Sequence, residues 1–161
     1  MKIAYQGIPG SYSESCAKKM YPDCETISCK TFDECFEMAS NDNNIRTIIP
    51  ESNKTTGNIG IEYLIFKFRL NIYAEHFYKI SHNLLGLKGS KIKDIKSVYS
   101  HAQALGQSSI FVKKHHLIEQ VRADTAGSAK YVSESKDISK AAIASTLSAD
   151  IYNLDIIKKD I

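Results

Sequence analysis

No apolar run in these 161 residues approaches the length needed to cross a membrane, and no basic start followed by an apolar stretch opens the chain. Met1-Lys-Ile-Ala-Tyr-Gln-Gly7 goes straight into strand and turn residues. The expectation is a soluble, cytoplasmic protein with no membrane partner. No Cys-x-x-Cys pair occurs, and Cys16, Cys24, Cys29 and Cys35 are spaced by eight, five and six residues, which fits no zinc pattern. Reduced thiols, three of them in the core, are expected. Charge of one sign is also scarce, since 21 basic and 18 acidic residues leave a net +3. Two local basic runs, Lys88 to Lys96 and Lys113-Lys-His-His116, hold no interleaved aromatics and belong to no recognised module, so no nucleic-acid partner is expected. Paired carboxylates, a nucleophilic triad and a metal-ligand cluster are all missing. There is no internal repeat, low-complexity tract or Pro/Gly-rich linker.

What is present has an ordinary globular balance, 43% hydrophobic and 24% charged, enough to bury a core in one domain or two small lobes. Lys2-Ile-Ala-Tyr5 reads as a strand, Gly7-Ile-Pro-Gly10 as a turn, and Ser11 with Glu14 as a capping box opening a helix striped by Cys16, Ala17 and Met20. Glu25 to Cys29 is the second strand. Thr31 and Glu34 cap a helix whose Phe32, Cys35, Phe36 and Ala39 recur at helical spacing, and Arg46-Thr-Ile-Ile49 is a third strand. Strands alternating with helices predict a parallel sheet and an α/β class.

Pro50-Glu-Ser-Asn-Lys-Thr-Thr-Gly-Asn58 is then a polar loop at the carboxyl end of a parallel strand, where open α/β folds tend to bind ligands. Ile61, Leu64, Ile65 and Phe68 form a helical stripe. Asn71 to His76 and Tyr78 to Leu87 alternate like strands, with a lobe boundary near residue 77. Lys91 to Ile95 reads as a helical turn, Glu119 to Ala123 as a strand, and Thr125 as the cap of a further helix. Lys140 to Ser145 is a buried strand, followed by a last helix striped by Leu147, Ile151 and Leu154.

The most informative stretch is Ser100-His-Ala-Gln-Ala-Leu-Gly-Gln107, after the short strand Ser97-Val-Tyr99. Ser100 and Gln103 have capping-box spacing, and Ser100, Gln103 and Gln107 fall on one helix face beside an electropositive first turn. A face of that kind suits a carboxylate. On spacing alone the plainer reading, a cap followed by a solvated surface glutamine, is the favoured one.

These eight residues resemble the Ser-His-Pro-Gln-Ala-Leu-x-Gln signature of prephenate dehydratases, with Ala102 at the proline position. Tyr5 to Ser13 resembles that family's opening Tyr-x-Gly-Pro-x-Gly-Thr-Phe-Ser. Pro50, Asn53 and Gly57 match its Pro-Ile-Glu-Asn-Ser-x-x-Gly motif, with Ser52 for glutamate and Lys54 for serine, and Thr125 and Ala126 match its Ser-Thr-Ala motif. The resemblance implies a two-lobed, periplasmic-binding-protein-like (type II) α/β fold with mainly parallel sheets. On that reading, residues 1–76 form the first lobe, 77–154 the second, and 155–161 the start of a return crossing.

The resemblance also implies conversion of prephenate to phenylpyruvate, on the route to phenylalanine, without cofactor or metal. Asn53, Ser100, Gln107 and Thr125 are then the catalytic candidates, with Ser11, Ser52, Gly57, His101, Gln103 and Ala126 binding substrate. Hydrogen-bond donors alone can stabilise the departing hydroxyl. The family's Thr-Arg-Phe motif and its ACT-type regulatory domain do not occur within these residues. Slow turnover is therefore expected, and an uncovered sheet edge would favour a homo-oligomer. The alternative is a catalytically reduced binding protein for a small carboxylate.

Overall fold

Ile3, Ala4 and Tyr5 are all buried, which places β1 (Lys2–Gln6) at the centre of a small sheet. It pairs in parallel with β2 (Glu25–Cys29) on one side and β3 (Ile45–Ile48) on the other. The computed structural model describes residues 1–53 and 57–161, Asn53 by its backbone alone. The described chain forms two compact units, Met1–Ile8 with Ser13–Tyr78 and Pro9–Tyr12 with Lys79–Ile161.

In the first unit, α1 (Tyr12–Met20) and α2 (Phe32–Asn41) connect the three strands. The Thr31 hydroxyl accepts the Glu34 N–H at 3.1 Å, the N-cap its sequence position predicts. Cys29 and Cys35 join Ala4 in a buried cluster, and all four cysteines are free thiols, with Cys16, Cys29 and Cys35 buried and Cys24 half-buried. Burial, reinforced by the neighbouring Cys29, pushes the Cys35 thiol up from 9.0 to about 12. A raised folded-state pKa stabilises the fold fully below pH 9 and loses that contribution as pH climbs towards 12. Urea midpoints should therefore fall over this alkaline range, and less so in Cys35→Ala. At pH 8, Cys24 should be alkylated first and Cys35 only on unfolding; early labelling of Cys35 would contradict the packing.

The polar loop contains a short antiparallel ladder of β4 (Ser52–Asn53) and β5 (Gly57–Asn58). Lys54, one of the departures from the family motif, lies outside the described residues. In α3 (Glu62–Phe68), Leu64 is buried, as is Ile61 just before it. Residues 71–82 differ from expectation, since no ladder forms before Asn83. Their alternating pattern lacks a partner strand, and residues 71–77 are exposed.

The second unit is built on β6 (Asn83–Gly86), β7 (Ser97–Ser100), β8 (Ile118–Val121), β9 (Lys140–Ala144) and β10 (Asp155–Lys158), in spatial order β10-β6-β9-β7-β8. The β9, β7 and β8 strands are parallel, whereas β6 runs antiparallel to both of its neighbours. Strand alternation divides the core into two layers. Leu84, Val98, Ala141 and Ile143 pack with Leu105 of α4 (Ala102–Gln107) and Val112 of α5 (Ser109–Lys114). Leu85, Ala142 and Ala144 pack with Ala129 and Val132 of α6 (Thr125–Ser135) and Ala149 of α7 (Thr146–Ile151). The expected stripe on the last helix is corrected here. Leu154 is buried as expected but lies beyond the helix end, Leu147 is half-buried and Ile151 is 41% exposed, while Ser148, in contact with the Gly10 loop, and Ala149 are the buried residues of the helix.

Residues 155–161 lie in the second unit: β10 pairs with β6, and the Ile161 N–H donates to the His82 carbonyl at 3.0 Å. Pro9–Tyr12, placed with the first lobe by sequence, also belongs here. The Ser145 and Ser148 hydroxyls both donate to the Gly10 carbonyl, at 2.6 and 2.8 Å, and the Tyr152 hydroxyl donates to the Pro9 carbonyl at 2.6 Å.

Candidate active site

The strand registers gather one edge of the five-stranded sheet. Ser100 pairs with Val121 at the ends of β7 and β8, and Asn83, at the start of antiparallel β6, pairs with Ala144 at the end of β9. The helix starts at Ala102, Thr125 and Thr146 follow these ends directly, and His82 precedes Asn83. Because β8 and β9 flank β7 on opposite sides, the chain reverses its winding at β7, the position at which open α/β sheets form a binding crevice.

A three-membered hydrogen-bond chain crosses this edge. The Tyr12 hydroxyl lies 2.7 Å from Nδ1 of the buried His82, and Nε2 of that ring lies 2.7 Å from Oε1 of Gln107. The Tyr12 and His82 rings also meet edge to face, with centroids 5.6 Å apart. Gln107, on the last turn of α4, is otherwise exposed. The edge thus brings together Gln107, which the motif singled out, and the Ser11 loop, which carries Tyr12. His82 was missed because it sits inside an apparent long strand, and nothing in its spacing marks it.

Three sequence expectations change. Ser100 does not cap α4. It is the last residue of β7, with no exposed surface, and its hydroxyl donates to the Ile143 carbonyl at 2.6 Å. That contact ties β7 to β9 within the sheet. His101 takes the cap position instead, its Nδ1 accepting the Gln103 N–H at 3.3 Å, and Gln103 is half-buried behind it.

Thr125 likewise begins α6 without capping it. Asp124 is the cap, accepting the Gly127 N–H at 2.6 Å, so a carboxylate of the chain itself already occupies that helix end. Thr125 is half-buried and Ala126 is buried. Ser11 is half-buried, whereas Ser52 and Gly57 are exposed on the short hairpin in the other unit. Of Asn53 only the backbone is described, pairing with Gly57.

Two α/β units with mainly parallel sheets, the larger one presenting a polar strand-end edge, define the periplasmic-binding-protein-like type II class. The family profile for prephenate dehydratase matches residues 3–161, and the chain belongs to that family. It is 40% identical to Arogenate dehydratase 2 of Petunia hybrida over 162 aligned residues, which covers all of this chain but 41% of the relative. The structure of GqqA, described as a novel type of quorum quenching acylase, superposes with a TM-score of 0.94 at 29% identity, covering the whole chain and 59% of that protein. The prephenate dehydratase of Staphylococcus aureus Mu50 shares the fold with a TM-score of 0.83 at 24% identity, covering the whole chain and 61% of its own length.

Proposed function

We propose that the chain carries out the decarboxylating dehydration of prephenate to phenylpyruvate, in the cytoplasm, as a step of phenylalanine biosynthesis. Family membership over residues 3–161 supports the reaction. The observation that carries the site is the Tyr12–His82–Gln107 chain at the sheet edge. In the reaction, the bond from the ring to its carboxylate breaks and releases carbon dioxide. The electron pair restores aromaticity, and the ring hydroxyl leaves with one added proton as water. Aromatisation supplies the driving force, so the protein needs only to orient a dianion and stabilise charge on the departing oxygen. Amide and hydroxyl donors held in fixed positions do this at little reorganisation cost. Gln107 supplies one such donor, with Ser11 and Thr125 as the further proposed contacts.

The test is phenylpyruvate release from prephenate, corrected for the acid-catalysed background, beside a parallel assay with arogenate, the substrate class named for the Petunia relative. Saturable release from prephenate, inhibited competitively by phenylpyruvate, is expected. Absence of both binding and turnover of prephenate would overturn the proposal. The likeness to GqqA favours a second reading, hydrolysis of an acyl substrate, and acyl-amide cleavage by the same preparation would support it.

A further inference from the structure

We propose that the groove beside β10 is a binding site for a small amphipathic anion, an aliphatic chain carrying one carboxylate or phosphate head. None of its lining residues belongs to the Tyr12–His82–Gln107 chain, and the proposal does not depend on the prephenate reading. The groove holds about 460 Å³, within the size range of small-ligand sites. Ser90, Lys91 and Ile92 line it from the segment after β6, and Asp155 to Lys158 line it from β10.

Its apolar wall comes from Ile92 and Ile157, which pack on the layer that holds Leu84 and Val98. A Cβ on Gly86 would sit 2.5 Å from Ile157 Cδ1 and 3.3 Å from Ser90 Cβ, so the bare backbone there lets Ile157 fold down beside Ser90. No aromatic ring lines the groove among the described residues, and a flexible aliphatic chain fits such a wall better than a flat ring. Charge supplies the other half. Lys91 and Lys158 line the groove and are exposed, as are Lys88, Lys93 and Lys159 on the same two segments. Among the described residues, none of these lysines has an ion-pair partner. Over residues 88–94 and 155–160, five lysines face three acids, a local balance of +2. Those acids are already engaged. Asp155 accepts the Gly89 N–H at 2.8 Å, Asp94 accepts the Lys91 N–H at 2.9 Å, and the Asp160 carboxylate accepts the Ser81 hydroxyl.

One hydroxyl is left over. Ser90 Oγ is buried and has no hydrogen-bond partner, a state that folded proteins leave unrelieved in few places. Rotation about χ1 carries the oxygen to another staggered position, and a bound oxyanion supplies the acceptor it lacks. The same edge suits an added strand poorly. Its register against β6 shifts between Ile156 and Lys158, and that irregularity, beside two exposed lysines, interrupts the row of backbone groups a strand would pair with. A compact ligand fits where a strand does not.

The test is a titration of the full chain followed in nitrogen-15 correlation spectra. Hexanoate and hexyl phosphate are the probes, with hexanol and inorganic phosphate as the chain and the head alone. Both amphipathic probes should shift the amide signals of residues 90–92 and 155–158 saturably, and the tighter of the two identifies the head. Shortening hexanoate to butanoate should weaken binding about 10-fold, through the loss of two buried methylenes. Lys91→Gln with Lys158→Gln should weaken hexanoate binding about fivefold. Lys130→Gln with Lys136→Gln, the same change of charge on α6, should leave it unaltered. Ser90→Ala should weaken it about threefold, while urea unfolding without ligand stays unchanged or moves to higher urea, because an unsatisfied hydroxyl has been removed. The absence of saturable shifts at those amides would overturn the proposal. So would equally tight binding of hexanol or inorganic phosphate, or unchanged hexanoate affinity in the two-lysine variant or in Ser90→Ala.

Discussion

Gln107→Ala is expected to lower phenylpyruvate release by about 10²- to 10³-fold, the usual effect of deleting one fixed donor that faces developing charge. Its effect on folding should be far smaller. Gln107 is exposed at the end of α4 but holds one hydrogen bond to the buried His82, so the loss in stability should be near that of a single hydrogen bond, about 0.5–1.5 kcal/mol. Nε2 of His82 loses its amide partner in this variant. Gln107→Glu sharpens the test, because a carboxylate still accepts from His82 yet offers no donor and repels a dianion. A loss in Gln107→Glu at least as large as in Gln107→Ala, with only small shifts in the unfolding curves, would assign the effect to the amide N–H. Turnover retained in Gln107→Ala would remove the residue from the site.

The second large effect is expected at Gly10, where the requirement is steric and conformational together. Its φ of +93° lies in the region that favours glycine. A Cβ there would sit 2.6 Å from Ser148 Oγ and 3.0 Å from Ser148 Cα. Gly10→Ala should therefore destabilise the protein by about 2–4 kcal/mol, combining backbone strain with overpacking, as read from urea unfolding. Because the same loop carries Ser11 and Tyr12, prephenate affinity should fall with it. Adding Ser148→Ala relieves the contact with Oγ but not the φ, so the double variant should recover part of the loss. Full recovery would mean that backbone strain contributes nothing.

Much of the fold can be read from local pattern. The alternation of β1, β2 and β3 with α1 and α2 is visible in residue spacing, and so is the Thr31 cap, because both depend on neighbours within a few positions. The misread caps show where local pattern stops. Ser100 has ideal capping chemistry, but the parallel ladder with Val121 extends β7 by one residue and leaves the cap to His101. At α6, Asp124 outcompetes Thr125 from the adjacent position, and spacing alone could not rank the two. Residues 71–77 alternate convincingly yet pair with nothing described, since a strand needs a partner that its own sequence does not reveal.

The candidate site follows the same division. Gln107 was legible from its motif. His82 was not, because its meaning comes from Gln107 25 residues later and Tyr12 70 residues earlier. The β6–β9–β7 pairing and the contacts that hold the Gly10 loop bring those three together.

The most direct measurement is a crystal structure of the chain with phenylpyruvate bound. The account predicts the ligand carboxylate within hydrogen-bond distance of Gln107 Nε2, with Oε1 still turned to His82 and the Tyr12 hydroxyl on Nδ1. A ligand bound away from this sheet edge, or a Gln107 carbonyl facing it, would contradict the account.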